Sequence, residues 1–429
     1  MARLSPRSGL LSAAALAIVI AAAPHARAQS PCCDPWTDLG QGLAGAHGVP
    51  AFEAIGSLAD NTHVTFALSG ALENSQCWLV FGLTQLGAPF KGGTLVPSPD
   101  VVLPLGTDGV GGFELGVTWP VGLPVGTNVL LQTWIKDAAG VVGFSASNAM
   151  KGVTPPSPPA GLFPADWING SACATDPKIQ VHQYDTNTWI LRQSKCVNFE
   201  GPFVFLLFGQ NQVLLLDTGA AGNPPMYTTV MSVIAQWAAA HGVPAPPLIV
   251  GHTHSHGDHI ANDSQFIGKP GVQAVAGTTL AGVQSFWGFS SQLWPNQVVQ
   301  HDLGGRVLDV LAIPGHHPTH IAIYDHETAL LLTGDTLYPG HLFISDLAAY
   351  KLSAKRLSDF MEDKPISWVW GNHVEMTSTP FVAYPYPSSS QPNERDPQLT
   401  RSIFLEWKTA VALKVGTADE VHADFILEP

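Results

Sequence analysis

An apolar run, residues 247–251, passes directly into Thr253-His254-Ser255-His256-Gly257-Asp258-His259, and this junction limits the fold more than any other stretch. A short run of this kind reads as a buried strand, so three imidazoles and a carboxylate stand in the loop that leaves its end. Extended backbone puts His254 and His256 on one side, where two neutral imidazoles can share an ion. Asp258 and His259 turn onward and can hold a second ion beside it. Zinc accepts nitrogen and carboxylate oxygen at about 2.0–2.2 Å and, in a catalytic site, keeps one position for water.

The same junction recurs along the chain. Pro314-Gly315-His316 follows the apolar residues 307–313, Thr333-Gly334-Asp335 follows 329–332, and Gly371-Asn372-His373 follows 367–370. Upstream, residues 214–216 lead into Asp217-Thr218-Gly219. A histidine-rich surface loop would need none of these partners. Several strand exits that each carry one can converge on a single site.

Taken in order, these pieces resemble the metallo-β-lactamase superfamily over about residues 178–429. His-x-His-x-Asp-His, Pro-Gly-His, Gly-Asp and a final His occur in the family's order, after an Asp-Thr-Gly. The resemblance implies an α/β fold, an αββα sandwich of two facing sheets with helices outside and metals at one edge. It implies that His254, His256 and His316 hold one metal and Asp258, His259 and His373 the other, with Asp335 bridging and Asp217 bracing the site. Two zinc ions are the expected occupants, with iron or manganese as alternatives. One segment departs from the family: His317-Pro318-Thr319-His320 stands where a Thr-Pro-Gly-His or Ser run is common. Thr319 there replaces a glycine, and His320 is expected to hydrogen-bond rather than ligate. His252, His301, His326 and His341 have no motif position.

The expected chemistry is attack of a metal-bound hydroxide on a polarised carbonyl, with Asp258 orienting the nucleophile and Asp335 fixing it between the metals. The substrate is then a small acyl compound: an ester, a thioester or a lactone. An aspartate at position 335 resembles the glyoxalase II-like thioesterases and the lactonases more than the β-lactamases. A lactam hydrolase and an iron-dependent redox member are the alternatives; no flavin or thiol-cofactor motif accompanies the second. The loop 381–393, with Tyr384, Pro385, Tyr386 and Pro387, is long enough to cover a pocket.

At 429 residues the chain accommodates two domains. Residues 1–28 read as a signal peptide, with Arg3 and Arg7 before an apolar stretch and Ala26-Arg27-Ala28 at the cleavage point. Export to the periplasm or medium follows, with no other segment able to span a membrane. Five cysteines in an exported chain favour disulfides. Cys173 with Cys196 is the first choice, and Cys77 with Cys32 or Cys33 the second. The formal net charge of −14, without a Lys/Arg cluster, excludes a nucleic-acid track.

Residues 29–150 are rich in Gly and Pro and read as a small all-β sandwich, with strands expected at 63–69, 77–83, 113–118, 128–135 and 141–145. Parts of this stretch resemble accessory domains of secreted bacterial proteins, which suggests contact with a cell surface or polymer. Trp78, Trp119 and Trp134 are expected in its core in preference to a sugar-stacking surface. Residues 151–177, including Thr154-Pro155-Pro156-Ser157-Pro158-Pro159, read as an extended spacer. Over 178–429, helices are expected at 227–240 with Gly242 as C-cap, 353–363 and 397–415. Strands are expected at 203–207, 213–217, 248–250, 272–276, 307–313, 321–324, 329–333 and 367–370.

Overall fold

The structure, a computed structural model, describes residues 36–59, 62–120, 123–155 and 161–429. The chain divides into two compact units between Pro156 and Ser157. The segment read as a signal peptide, and Cys32 and Cys33, lie outside the described residues. No helix among the described residues is long and apolar enough to cross a membrane.

The first unit is all-β. One sheet runs in the order Trp36–Gly40, Ala149–Val153, Asn128–Lys136, Gln76–Gly82, Val101–Gly106, and a second joins Ala51–Ile55, His63–Ser69 and Phe113–Thr118. His63–Ser69 shows why it pairs this way: its burial alternates residue by residue, so Val64, Phe66 and Leu68 point into a core shared with Leu79, Val117 and Leu131. Trp119 and Trp134 are buried and Trp78 is half-buried against Phe144. Cys77 is fully buried in this core. The strand expected at 141–145 is instead a turn followed by Phe144–Ala146. Gly140 and Gly143 close the turn, and Val141 and Val142 are exposed on it in spite of their β-branching.

The second unit contains two six-stranded sheets. The first follows the chain: Ile179–Gln183, Thr188–Gln193, Phe203–Phe208, Val213–Leu216, Leu248–Gly251, Val272–Val275. The second is Val298–Asp302, Val307–Ala312, Ile321–Asp325, Leu330–Gly334, Trp368–Gly371, Gln398–Leu399. Between them lies one continuous core, in which Phe205, Leu214 and Leu216 of one sheet meet Val310, Ile323 and Leu332 of the other. The helix Met226–His241 covers the outer face of the first sheet through Val230, Ile234 and Trp237. Leu347–Phe360 and Arg401–Leu413 cover the second through Tyr350, Leu357, Phe404 and Trp407. This is an α/β sandwich of helix, sheet, sheet and helix layers, preceded by an all-β unit.

Two parallel pairs decide where the site lies. Val213–Leu216 pairs in parallel with Leu248–Gly251 through the crossover helix Met226–His241. Leu330–Gly334 pairs in parallel with Trp368–Gly371 through Leu347–Phe360. All four strands are buried or nearly so, which is why they read as unbroken apolar runs. The loops leaving their carboxyl ends carry Asp217, residues 252–259, Asp335 and His373.

The spacer expected at 151–177 is overturned toward both of its ends. Residues 151–153 belong to a strand of the first unit, while Phe163 and Trp167 pack into the inter-sheet core of the second. The physical reason is plain: two large aromatics bury more favourably there than in a solvated linker. Cys173 and Cys196 form a disulfide with their Cα atoms 5.5 Å apart, which ties this segment to the loop after Thr188–Gln193.

Candidate metal centre

His254, His256 and His316 form one group of potential donors and Asp258, His259, Asp335 and His373 a second. Within each group the donor atoms lie within 4.8 Å of one another. His256 is extended (φ −71, ψ 156) and caps the single helical turn Gly257–Ile260, which swings Asp258 and His259 away from the first group toward the second.

In the first group His256 Nδ1 lies 3.0 Å from both His254 Nε2 and His316 Nε2. His316 donates its Nδ1 proton to the Phe343 carbonyl at 2.7 Å, so its Nε2 lone pair faces inward. Burial pushes the His254 and His316 pKa values down, keeping both rings neutral. Convergent lone pairs at such distances repel unless a cation lies among them, so this donor set fits a divalent metal that accepts nitrogen.

The second group is bound together by charge. His259 Nε2 lies 3.2 Å from both Asp258 Oδ2 and Asp335 Oδ2, and His373 Nε2 lies 3.1 Å from Asp258 Oδ2. Burial opposes ionisation of Asp335, but His259, His373 and His254 outweigh it and hold the carboxyl well below its usual range. Asp335 also faces the first group: its Oδ2 is 3.7 Å from His254 Nε2 and 3.6 Å from His316 Nε2. Its Oδ1 is buried without a hydrogen-bond partner. A buried orphan carboxylate oxygen between two donor groups fits a bridging ligand.

Each histidine of the second group is aimed by a second contact. Asp217 Oδ2 accepts the Nδ1 proton of His259 at 3.0 Å, and the Glu200 carbonyl accepts that of His373 at 3.2 Å. Asp217 has φ +70, a left-handed conformation unusual outside glycine, and four donors from two loops surround its carboxylate. Of the histidines expected to be structural, His320 Nε2 accepts the Asp335 amide at 3.1 Å. His252 is buried 3.2 Å from Asp263, His326 pairs with Asp309, and His341 pairs with Glu428. Thr319 Oγ1 lies 3.1 Å from Ser255 Oγ, linking its segment to the histidine loop.

A cavity of about 360 Å³ opens onto Asp258, Asp335 and His373. Tyr386 lines it, so the loop 381–393 does reach the site, though Tyr384 and the neighbouring prolines do not line it. Glu200, Tyr338, Phe343 and Glu375 also line it, and no motif in the sequence marks them. Only Glu375, two residues after His373, stands close to a motif histidine in the sequence. Burial pushes the Glu375 carboxyl up, against the pull of His373, Lys195 and His341. A larger cavity of about 840 Å³ lies at the opposite ends of the strands, among Asn187, Trp237 and Arg306. It holds none of these donor groups, and the chemistry belongs to the smaller one.

A family described as the metallo-beta-lactamase superfamily matches residues 197–395. The chain is similar to the acyl-coenzyme A thioesterase MBLAC2 of Bos taurus, 25% identical over 201 residues, a match spanning 40% of this chain and 72% of that one. It is similar to the hydroxyacylglutathione hydrolase of Aeromonas hydrophila, 26% identical over 168 residues, spanning 38% of this chain and 59% of that one. A solved metallo-beta-lactamase from Pontibacter korlensis matches with 16% identity and a TM-score of 0.35, over 55% of this chain and 100% of that one. The second unit of this chain, built around these two donor groups, belongs to the metallo-β-lactamase superfamily.

Proposed function

We propose that the protein is an exported, dinuclear metal-dependent hydrolase that cleaves a small acyl substrate, a thioester first and an ester or lactone next. The observation that carries this reading is Asp335, placed between the two donor groups with one carboxylate oxygen unpartnered. Two similar proteins, the acyl-coenzyme A thioesterase and the hydroxyacylglutathione hydrolase, support the thioester preference. The Cys173–Cys196 disulfide supports an oxidising compartment.

Divalent ions, zinc being the expected choice, supply Lewis-acid polarisation of a carbonyl and lower the pKa of water. His254, His256 and His316 would hold one ion, and Asp258, His259 and His373 the other, with Asp335 shared. Asp217, the Phe343 carbonyl and the Glu200 carbonyl take the outward protons of His259, His316 and His373, fixing each ring with its other nitrogen turned toward the donor groups. Asp258 lines the cavity and offers its carboxylate to orient the attacking water. Tyr386 and Phe343 line the cavity with their rings in edge contact.

The test is a panel of one thioester, one lactone, one aryl ester, a cephalosporin and a phosphodiester with metal-reconstituted protein. Thioester hydrolysis is expected to be fastest. Dominant phosphodiester cleavage, or no acyl hydrolysis at full metal loading, would overturn the proposal.

A further inference from the structure

The metal donors account for only part of the cavity wall. Apart from Gly257 and Ser345, the rest is Glu200, Tyr338, Phe343, Glu375 and Tyr386. Glu375 is only 5% exposed, and among the described residues its carboxylate receives one hydrogen bond, from the His341 amide to Oε2 at 3.3 Å. Its Oε1 receives none. A carboxylate so far removed from water, with a single long donor, is costly until a counter-charge reaches it. Glu200 Oε1 accepts the Tyr386 hydroxyl at 2.7 Å, while its Oε2 stands 4.0 Å from His373 Nδ1.

His373, Lys195 and His341 pull on the Glu375 carboxyl, but none of their side chains gives it a hydrogen bond. The Lys195 ammonium donates to the carbonyls of Phe199 and Glu200 and does not line the cavity; among the described residues no Lys or Arg does. Asp258 and Asp335 would be offset by the ions they hold, whereas Glu200 and Glu375 lie outside both donor groups. Most of the remaining wall is aromatic, with Tyr386 and Phe343 rings 5.3 Å apart and the Tyr338 ring 5.6 Å from that of His373. Carboxylates beside ring faces are the surroundings that favour an ammonium: the carboxylates supply charge and the rings their negative faces. The same wall repels phosphate or carboxylate.

We propose that this cavity binds a positively charged group of the substrate, so that the acyl compound hydrolysed carries an amine or quaternary ammonium near the scissile bond and not an anionic carrier. This rests on the acyl-hydrolase reading above and narrows its substrate class.

Three thioesters of one acyl group test it, made with thiocholine (cationic), 2-mercaptoethanol (neutral) and mercaptoacetate (anionic), using the metal-reconstituted full chain. Calorimetric binding of choline is measured in parallel. The expected kcat/KM for the cationic thioester exceeds that for the anionic one by about tenfold or more, the scale of one desolvated cation–π or charge contact. Glu375→Gln and Glu200→Gln should each narrow this ratio and weaken choline binding, with circular dichroism checking the fold. Equal rates or an anionic preference, or a ratio unchanged in both variants, would sink the proposal. If none of the three is hydrolysed, the hydrolase reading fails by itself. Choline binding, and its loss in the two variants, then still decides the cation site.

Discussion

Asp217 and His259 form the bond on which the second donor group turns: Oδ2 of the first accepts the Nδ1 proton of the second at 3.0 Å, both fully buried. The same carboxylate takes the Thr253 amide at 2.7 Å and hydroxyl at 2.8 Å, and the Asn372 side chain at 2.8 Å. Asp217 leaves one sheet, Asn372 leaves the other, and Thr253 precedes the first ligand histidine. One acid therefore sets both the tautomer of His259 and the mutual position of three loops.

Asp217→Asn tests this directly. Asparagine tolerates the left-handed backbone, but one of its side-chain atoms becomes a donor facing donors. The expected result is a folded protein whose second metal binds about 10–100-fold more weakly, the range for lost partners of metal ligands. Chelator competition measures it, and unchanged affinity at both sites would show that Asp217 does not brace the second donor group.

Metal removal should change the pH dependence of stability. Burial disfavours charge on His259 and His373, but Asp335 and Asp258, joined for His259 by Asp217, raise both pKa values well above the usual histidine value. A raised histidine contributes stability that is full below its unfolded pKa of about 6.5 and is lost as pH climbs through its folded value. Metal-stripped protein should therefore melt at progressively lower temperature from neutral pH toward pH 9. Metal-loaded protein should lack this decline, because ions then stand in place of those protons. A Tm of the stripped form that rises over this interval would contradict the charge arrangement.

Much of the fold and site is legible in the sequence, and the limits have physical causes. Strands buried on both faces announce themselves as apolar runs, so Phe203–Phe208, Val213–Leu216 and Leu248–Gly251 are readable to within a residue or two. Thr188–Gln193 is equally buried yet carries Arg192 and Gln193. The Arg192 charge is offset by a bidentate contact with Glu394, 202 residues away, which no local pattern reveals. The helix expected from 353 begins at Leu347, where Asp346 accepts the Ala349 amide; that N-cap was a usable signal. The donor residues are spaced along strand exits and can be read in order. Glu200 and Glu375 come to the cavity from different loops, and only the folded chain brings them together.

Arg306 offers a stability test away from the site. It holds Asp325 of its own sheet through Nε and an end nitrogen, at 3.1 and 2.6 Å, and the Asn187 carbonyl and Thr188 hydroxyl of the facing sheet at 2.6 and 2.8 Å. Asp325→Ala leaves this guanidinium buried without its counter-charge. The expected loss is about 3–5 kcal/mol in denaturant unfolding, while Arg306→Met with Asp325→Leu should recover part of it. A single variant as stable as the parent would show that water reaches Arg306.

The disulfide closes a loop of 23-residue separation and fastens the segment that carries Trp167 to the strand end beside Lys195. Loop-closure entropy for this length corresponds to about 3 kcal/mol. Cys173→Ser with Cys196→Ser should lose stability on that scale. Peptide mapping without reductant checks the linkage itself, and both cysteines found as thiols in protein from an oxidising compartment would count against it.

Asp258 carries the last prediction, because it is the more open of the two donor carboxylates that line the cavity. Its carboxylate lies 3.2 Å from His259 and 3.1 Å from His373, and its side chain keeps 20% exposure where Asp335 is nearly closed. Burial works against its ionisation, but the two histidines prevail and hold it as a carboxylate far below the ordinary range. Asp258→Asn preserves shape and removes the charge that orients the attacking water. Turnover should fall about 10²-fold or more, the cost of losing a positioned catalytic group. Metal content must be measured beside activity, since a variant that has lost one ion and one that has kept both report different failures. A folded, fully metal-loaded Asp258→Asn protein with parental turnover of the thioester would show that another group orients the water, and the assignment of Asp258 would have to be abandoned.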